Sequence, residues 1–560
     1  MVITDKPPVC FMFVFCGGKK KREGICSMKK FARLLCLVLA LVMVAPFAFA
    51  EDLGTIYRQH FGNEEAQGPV TTEPVTVDVW RGFSSTVMDT LADCETFKKM
   101  EEVTGVKINW VYPPVGSETD NFNLRVASDD LPHMFSTPPA YAGGIETAVE
   151  DGVYLDYAPY FEKGYTPNLQ YLFEHYPEIA KDAKQDSGAM ICWYMLDYVP
   201  SSPWSGLWVR QDLLEKAGLE PPKTIEDWDN MLHVFKEKFG TLLGCNIPQW
   251  YGVATNYQFA ASYDSAYGWI AKDGTKAAYG PIEPGYKDFL ALLHKWYEEG
   301  ILDPDFATIT DADYQSKMAD GTYGAFGSAY GEIGQAKVTG TNNNPEYKLL
   351  AVGMPTSYEG QKTHLRQTDF IVRTDYDVLT TRAVKEGIEE TVIRWKDFWY
   401  SQFGGDLCSY GPENVSYKWV DAGDGREKLE WIYEDTGIIS KGNDKDFWTV
   451  YPLFKLHNWG YLRDSTAYEM QPEVWQCIEE WGKDGHDWFM PLITPTAEES
   501  AELARIMTDI DTYRTEMTYK FITGQESLDN FDAFVEQIKS QGIEDAVELQ
   551  QAALDRYNAR

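Results

Sequence analysis

The stretch VTVDVW at residues 75–80 alternates apolar and polar residues, which predicts a β-strand with one buried face. The segment VKINWV at residues 106–111 alternates in the same way. Between them, residues 87–103 have helical periodicity, and Gly105 follows as a helix stop. A strand, a helix and a second strand in this order predict a parallel βαβ unit, so we expect an α/β lobe.

Helix signals become denser toward the C-terminus. Thr224 precedes Asp227 at the spacing that caps a helix, and residues 285–300 have the pattern of an amphipathic helix. Thr496 and Glu499 form a second capping signal. The apolar residues after it recur every three or four positions: Leu503, Ile506, Ile510, Tyr513, Met517 and Phe521. We therefore expect a largely helical C-terminal region that is interrupted at Gly524.

Composition narrows the class of protein. The chain has 560 residues, a formal net charge of −36 and 14% aromatic residues, among them 18 Trp and 34 Tyr. A strongly negative surface repels phosphate backbones, which argues against a nucleic-acid partner. Tyr and Trp combine a flat apolar face with a polar group, so some of them are expected to line a binding site and most to pack in cores.

The first 50 residues have the pattern of an export signal. A basic segment around Lys29 and Lys30 precedes the apolar stretch 34–44, and the small-x-small sequence 48–50 provides a cleavage site. We expect residues 1–50 to be an N-terminal extension with a signal peptide and Glu51 to begin the exported protein. Residues 51–74 are polar and predict a flexible leader. A cytosolic tail on a membrane anchor is the alternative interpretation of the first 27 residues.

Cysteine spacing and short motifs exclude several kinds of site. The five Cys after residue 50 are far apart and form no CxxC pair, so we expect mostly buried thiols, with one or two disulfides as the alternative. The sequence contains no HExxH, GxSxG, P-loop or GxGxxG motif, and only 8 His in all. No catalytic residue is therefore assigned. A pair of glycosidase carboxylates remains open, because such pairs are defined by distance rather than by sequence.

Four segments, in order, resemble the family 1 extracellular solute-binding proteins of carbohydrate ABC importers, in their lipoprotein-like and alginate-binder branch. ASDDLPHM at 127–134 is similar to the family turn ASGDLPDI, and EDGVYLD at 150–156 precedes a Pro-Asn-Leu sequence. LWVRQDLL at 207–214 is followed by Pro222, Thr224 and Trp228 at the family spacing. KFITG at 520–524, SLDNF at 527–531 and LDRY at 554–557 complete the resemblance, which spans residues 75–560.

The resemblance implies an α/β, two-lobed periplasmic-binding-protein-like fold of type II, with ligand bound between the lobes. We expect residues 75–200 and about 335–375 to form lobe 1. Residues of about 201–334 and 376–560 are expected to form lobe 2. Closure of the lobes around the ligand would be a hinge motion.

The implied function is delivery of an oligosaccharide or similar polyol to the permease subunits of an ABC importer, without catalysis. Aromatic rings cover the apolar faces of a sugar, and charged or amide groups bind its hydroxyls. The candidate ligand-binding residues lie near strand ends and inferred crossovers: Trp80, Tyr141, Trp193, Tyr194, Trp204, Tyr330, Arg366, Trp459 and Tyr461. Packing in a core is the alternative for each aromatic residue, and a structural ion pair is the alternative for Arg366.

We expect an exported, periplasmic or cell-surface monomer with no cofactor and no metal. The relatives' calcium loop would follow the Trp228 helix, where residues 235–241 lack the row of oxygen ligands that calcium requires. Cys36 lies inside the apolar part of the signal, so a lipid anchor is not expected. Two other functions remain open: a secreted polysaccharide hydrolase, and a ligand sensor that pairs with a receptor.

Overall fold

The computed structural model describes residues 70–85, 88–197, 203, 205–245, 259–366, 372–421, 427–432, 461–462 and 472–560. The predicted export signal, most of the leader, and the candidate residues Trp204 and Trp459 lie outside these residues. Within the described part, no helix combines the length and the apolar character that a membrane span requires.

The described strands, in chain order, are β1 Val75–Trp80, β2 Val106–Val111, β3 Met134–Ser136, β4 Cys192–Asp197, β5 Ser205–Arg210, β6 Leu242–Gly244, β7 Trp269–Lys272, β8 Lys276–Tyr279, β9 Tyr323–Ala329, β10 Leu349–Val352, β11 Val372–Leu379, β12 Tyr417–Asp421, β13 Glu427–Trp431 and β14 Tyr461–Leu462. They form a six-stranded sheet, a four-stranded sheet and two hairpins, β7–β8 and β12–β13.

The described α-helices, in chain order, are α1 Glu95–Thr104, α2 Glu118–Ala127, α3 Ile145–Glu150, α4 Ala158–Glu162, α5 Pro167–His175, α6 Pro177–Ala183, α7 Gln211–Ala217, α8 Ile225–Phe239, α9 Pro284–Glu298, α10 Asp311–Asp320, α11 Tyr330–Asn343, α12 Arg382–Glu386, α13 Glu389–Phe398, α14 Gln402–Tyr410, α15 Pro472–Trp481, α16 Ala497–Thr523, α17 Phe531–Ser540 and α18 Ile543–Ala559.

The six-stranded sheet has the order β14-β4-β11-β3-β1-β2. Strand β1 is parallel to β2 and β3, β14 is parallel to β4, and β11 runs antiparallel between β3 and β4. The predicted βαβ unit is confirmed, and Gly105 ends α1 in the left-handed conformation at φ 76°. The predicted helix start was wrong, because a 3₁₀ turn capped by Thr90 occupies residues 91–93 and α1 begins at Glu95.

The four-stranded sheet has the order β10-β5-β9-β6. Alternation along β5 supplies both of its faces: Leu207 and Val209 contact one hydrophobic cluster, and Trp208 contacts another. The first cluster includes residues of α8, α9 and α16, and the second includes residues of α10 and α15. This sheet is therefore covered by helices on both faces.

The expected helical C-terminal region is present. Thr496 and Glu499 form the predicted capping box at the start of α16, and Gly524 ends that helix at φ 71°. Leu503, Ile506 and Ile510 are buried against the four-stranded sheet. The capping box at Thr224 and Asp227 is also present, at the start of α8.

Sheet membership differs in part from the predicted assignment of segments to lobes. Residues 335–375 were assigned to lobe 1, yet β10 pairs with β5 in the four-stranded sheet, and only β11 joins the six-stranded sheet. Helices α13 and α14, which were assigned to lobe 2, pack against α5 and α1 beside the six-stranded sheet. Below, lobe 1 denotes the six-stranded sheet with its helices, and lobe 2 the four-stranded sheet with its helices.

The five cysteines after residue 50 are buried and form no disulfide with one another: Cys94, Cys192, Cys245, Cys408 and Cys477. Burial raises the pKa of the thiols of Cys94, Cys192, Cys408 and Cys477 to about 12, so these side chains are protonated apolar groups at neutral pH. The expectation of buried thiols is confirmed.

Candidate functional site

The crossovers between the two sheets identify the edges that face each other. Strand β4 ends at Asp197 and β5 begins at Ser205, so seven residues join them and span at most about 28 Å. Strand β10 ends at Val352, and its chain continues to β11 at Val372, which pairs with Leu196 of β4. The carboxyl end of β4 and the start of β5 are thus held close together.

On lobe 1, the same edge carries the ends of β1, β2 and β3. The guanidinium of Arg81, directly after β1, donates to Ser136 Oγ at 2.7 Å, and the Arg81 backbone N–H donates to Val111 at 3.1 Å. Parallel strands bring these carboxyl ends to one edge of the sheet, where ligands of α/β proteins commonly bind. A half-buried cation and hydroxyl groups therefore lie at the edge that faces lobe 2.

Thr137 follows β3 at this edge and is exposed, with φ 51°. A β-branched residue in the left-handed region is strained, because its side chain crowds the backbone. The other non-glycine residues with positive φ are Asp or Asn in the described part of the chain, and those types tolerate the conformation. Strained residues cluster at ligand-binding sites, so Thr137 is a candidate site residue. The sequence around Thr137 gives no sign of this role.

Two aromatic rings lie beside this polar group. The rings of Phe83 and Tyr112 are 5.3 Å apart and both are partly exposed. The Tyr112 hydroxyl accepts a hydrogen bond from the Leu91 N–H at 2.8 Å, which fixes its orientation. Together the rings offer an apolar surface next to Arg81, the combination that a sugar face and its hydroxyl rim require.

A buried ion pair lies directly behind the edge. Asp377 of β11, which pairs with Ser136 of β3, contacts Lys396 of α13, and both side chains are fully buried. Burial lowers the pKa of Lys396, and the neighbouring Asp377 opposes that shift. Removing one partner of such a pair leaves an uncompensated charge, so the pair fixes the position of α13 against the sheet.

On lobe 2, the facing edge is formed by Ser205 of β5 and Ala329 of β9, which pair with each other. Helix α11 begins there with Tyr330, and its N-cap residue Ala329 provides no side-chain cap. The first N–H groups of this helix therefore offer hydrogen-bond donors at the facing edge. Tyr330 is partly exposed and packs against the cluster around Trp208.

Comparison with known families agrees with this geometry. The family model of the bacterial extracellular solute-binding proteins matches residues 89–371, which is half of the chain.

The chain belongs to the bacterial extracellular solute-binding proteins.

Its curated relatives within this class are distant. The Bacillus subtilis lipoprotein LipO is 27% identical over 289 residues, which cover 48% of this chain and 53% of LipO. The fructooligosaccharide ABC transporter substrate-binding protein FusA of Streptococcus pneumoniae is 22% identical over 490 residues, which cover 82% of this chain and 87% of FusA. The chain thus matches about half the length of LipO and most of FusA.

Solved structures show the same fold at low identity. The alginate-binding protein AlgQ2 without calcium ion has a TM-score of 0.67 at 19% identity and covers 87% of this chain and 99% of its own. An HMO-binding solute-binding protein of Bifidobacterium longum infantis has a TM-score of 0.69 at 16% identity, with 86% and 99% covered. These similarities confirm the predicted two-lobed α/β fold of a solute-binding protein.

Three candidate aromatic residues of lobe 1 lie in its core. Trp80 is 1% exposed and donates from Nε1 to Asn121 at 2.8 Å, and Trp193 is fully buried, with its ring stacked 4.2 Å from Tyr157. Tyr194 is 9% exposed and lies edge-on to Tyr376. In this arrangement the three aromatic rings stabilise lobe 1. Their contact with a ligand stays a prediction, and it requires the rings to become accessible.

The other described candidates occupy different surroundings. Tyr141 is partly exposed and donates to Asp151 Oδ2 at 2.7 Å. Arg366 is 6% exposed and donates from Nε to the Asp484 backbone carbonyl at 2.8 Å, so it ties the second crossover to the turn after α15. Tyr461 pairs with Leu196 at the carboxyl end of β4, which places its backbone at the facing edge. Among the described candidates, Tyr330 thus lies at the facing edge of lobe 2 and Tyr461 at that of lobe 1.

The connection after α8, where the relatives' calcium loop would follow, is short in this chain. Helix α8 continues to Phe239, Gly240 ends it at φ 70°, and β6 begins at Leu242. A calcium loop of about 12 residues does not fit in this connection.

One group of potential metal ligands occurs among the described residues: Asp229, His233 and Glu299, whose ligand atoms lie within 4.8 Å of one another. Lys295 contacts Asp229 at 2.7 Å, and His233 Nε2 contacts Glu299 at 3.1 Å. This group therefore already has cationic and hydrogen-bonding partners from the protein, and we assign no metal to it.

Proposed function

We propose that this solute-binding protein binds an oligosaccharide between its lobes and delivers it to the permease subunits of an ABC importer. The observation that carries the proposal is the lobe 1 edge, where Arg81, Thr137, Phe83 and Tyr112 combine a cation, hydroxyls and two aromatic rings opposite lobe 2. The names of FusA and of the HMO-binding protein support a sugar ligand.

The edge residues have distinct roles in this proposal. The rings of Phe83 and Tyr112 cover an apolar sugar face, while Arg81 and Thr137 bind hydroxyl groups. Tyr330 and the α11 N–H groups complete the site from lobe 2, and Tyr461 contributes from β14 on lobe 1. Trp459, which lies two residues before Tyr461 in the sequence, and Trp204 in the first crossover are additional ligand contacts. Lobe closure around the sugar is driven by its higher affinity for the closed form.

The protein is further proposed to act as an exported monomer without catalysis and without a lipid anchor. The extracellular character of the family supports export, and the cleavage site before Glu51 supports release by ordinary signal peptidase. Each sugar molecule is therefore bound and returned unchanged. The absence of known catalytic motifs from the sequence supports a binding role over the alternative of a polysaccharide hydrolase.

Titration calorimetry against kestose, an HMO and an alginate oligomer tests the function. We expect saturable binding of at least one sugar at one site per chain. Phe83→Ala should then weaken that binding about 30-fold, the equivalent of about 2 kcal/mol at a stacking hot spot. Tyr358→Ala is the matched control, because Tyr358 is 64% exposed and follows Thr356, which bridges to Thr224 at the start of α8 on lobe 2.

Two outcomes would count against the proposal. If no sugar of the panel binds, or if both Ala variants bind the sugar equally well, the lobe 1 edge is not a sugar site. Chromatography of the sugar after long incubation separates binding from hydrolysis. Product in molar excess over protein would identify a hydrolase instead.

A further inference from the structure

Outside the ligand site, the lobes meet at a dense polar contact made by the last turn of α18. On lobe 1, Asp182 and Asp186 lie at and just after the end of α6, which packs on β4 and β11. On lobe 2, α18 packs against α16 and β8 and presents Arg556, Tyr557 and Arg560. We call this contact the C-terminal latch.

The Asp186 carboxylate is the centre of the latch. Its side chain is 4% exposed, and both the Arg556 and the Arg560 guanidinium groups contact it. Arg556 also donates to Glu499 Oε1 at 2.9 Å, so the guanidinium is held from its own lobe. Asp186 further donates from its backbone N–H to Thr494 Oγ1 at 3.1 Å. A charge that is buried between the lobes is therefore neutralised from the opposite lobe.

A second set of contacts reinforces this centre. The Tyr557 hydroxyl donates to Asp182 Oδ1 at 2.5 Å, and Lys181 Nζ lies 4.3 Å from the centre of the Tyr557 ring. Arg560 donates to the backbone carbonyls of Lys181 at 2.8 Å and Lys184 at 2.5 Å. Cations at the last carbonyls of a helix are favourable, so Arg560 also stabilises the end of α6.

The position of the latch determines its effect on lobe motion. The chain crosses between the lobes at β4, β11 and β14, which are neighbouring strands on one side of the six-stranded sheet. Arg81 and Thr137 follow β1 and β3, which lie toward the other side of that sheet. Helix α6 covers a face of β4 and β11, on the crossover side of the molecule.

We propose that rotation about the crossovers, which brings the ligand-binding edges together, separates the two sides of the C-terminal latch. The latch then opposes closure of the lobes and sets how much of the ligand-free protein is closed. A ligand has to supply the free energy that breaks these contacts. The apparent affinity is the intrinsic affinity of the closed form multiplied by the fraction of the protein that is closed beforehand. The latch thus regulates the proposed sugar site by changing lobe motion. Because lobe motion can be measured in the ligand-free protein, the test needs no sugar.

The test uses the ligand-free protein with spin labels at Leu124→Cys on lobe 1 and Val338→Cys on lobe 2, positions that are 67% and 54% exposed. The five native cysteines after residue 50 are buried, so labelling is selective. Double electron–electron resonance spectroscopy measures the distance between the two spin labels. Asp186→Asn combined with Tyr557→Phe removes the carboxylate charge and the hydroxyl of the latch with nearly unchanged side-chain shapes. We expect the fraction of molecules with a short distance between the labels to be about three- to tenfold higher in this variant than in the protein with the intact latch.

One control completes the design. Arg505→Gln removes an exposed ion pair with Glu502 inside lobe 2 and should leave the distances unchanged. Distances that are unchanged or longer in the folded latch variant would overturn the proposal.

Discussion

A pH-dependent contribution to stability follows from the surroundings of Asp397. This carboxylate is fully buried in lobe 1 and accepts hydrogen bonds from the backbone N–H groups of Asn168 at 3.1 Å and Leu169 at 2.9 Å, and from Asn168 Nδ2 at 2.8 Å. It therefore caps the start of α5, whose preceding residue Thr166 makes no side-chain cap. Burial raises the pKa of Asp397 to about 7, although these hydrogen bonds act in the opposite direction.

The sign and size of the effect follow from that pKa. The carboxyl group has a pKa of about 4 in the unfolded chain, so the folded state holds its proton over a wider pH range. The contribution of Asp397 to the free energy of unfolding is therefore largest below pH 4, and it is lost as the pH rises toward 7. Between pH 5 and pH 8 the loss amounts to about 2–3 kcal/mol of the free energy of unfolding.

Urea unfolding of the wild type and of Asp397→Asn at pH 5, 6, 7 and 8 measures this contribution. The amide does not titrate, so the unfolding free energy of the wild type minus that of the variant should fall by about 2–3 kcal/mol from pH 5 to pH 8. Asp130→Asn is the matched control in the same lobe, because Asp130 pairs with Arg125 at the surface and is 71% exposed. A difference that stays constant or rises with pH would refute the reasoning.

Three further expectations concern the site and the export signal. Thr137→Gly relieves a strained conformation, so thermal stability should not fall, while sugar affinity measured by calorimetry should drop; an unchanged affinity would remove Thr137 from the site. Trp459→Ala should weaken sugar binding about 30- to 700-fold with an unchanged melting temperature, whereas Trp193→Ala should lower the melting temperature, and the reverse pattern would exchange their roles. N-terminal sequencing of exported protein should begin at Glu51, and a lipidated Cys there would contradict this.

The local elements could be predicted because their signals lie within a few residues of one another. Alternation identified β1 and β2, and the capping residues Thr224 and Thr496 identified the starts of α8 and α16. Hydrogen bonds between a cap and the third helical residue depend on one turn of chain, so the sequence contains them fully. The start of α1 was missed, because the 3₁₀ turn at 91–93 shares the apolar periodicity of the helix after it.

The choice between core and site needed the tertiary structure. Trp80 and Arg81 are neighbours in the sequence, yet the indole enters the core beside Phe122 while the guanidinium reaches Ser136 at the facing edge. An aromatic residue at a strand end can pack in a core or line a binding site, and composition does not distinguish these two environments. For this reason Trp80 could be proposed from the sequence, whereas Arg81, Phe83, Tyr112 and Thr137 became candidates only from their positions in the fold.

By itself, the sequence determined the α/β class, the helical C-terminal region, the membership in a solute-binding family and the burial of the cysteines. All of these depend on local periodicity, composition or ordered short motifs. Only the tertiary structure decided which groups meet: Arg81 contacts Ser136 across 55 residues, and Asp186 contacts Arg556 across 370. Such contacts arise because strand pairing and lobe packing bring distant segments together, and no local pattern records which distant residue a side chain will contact.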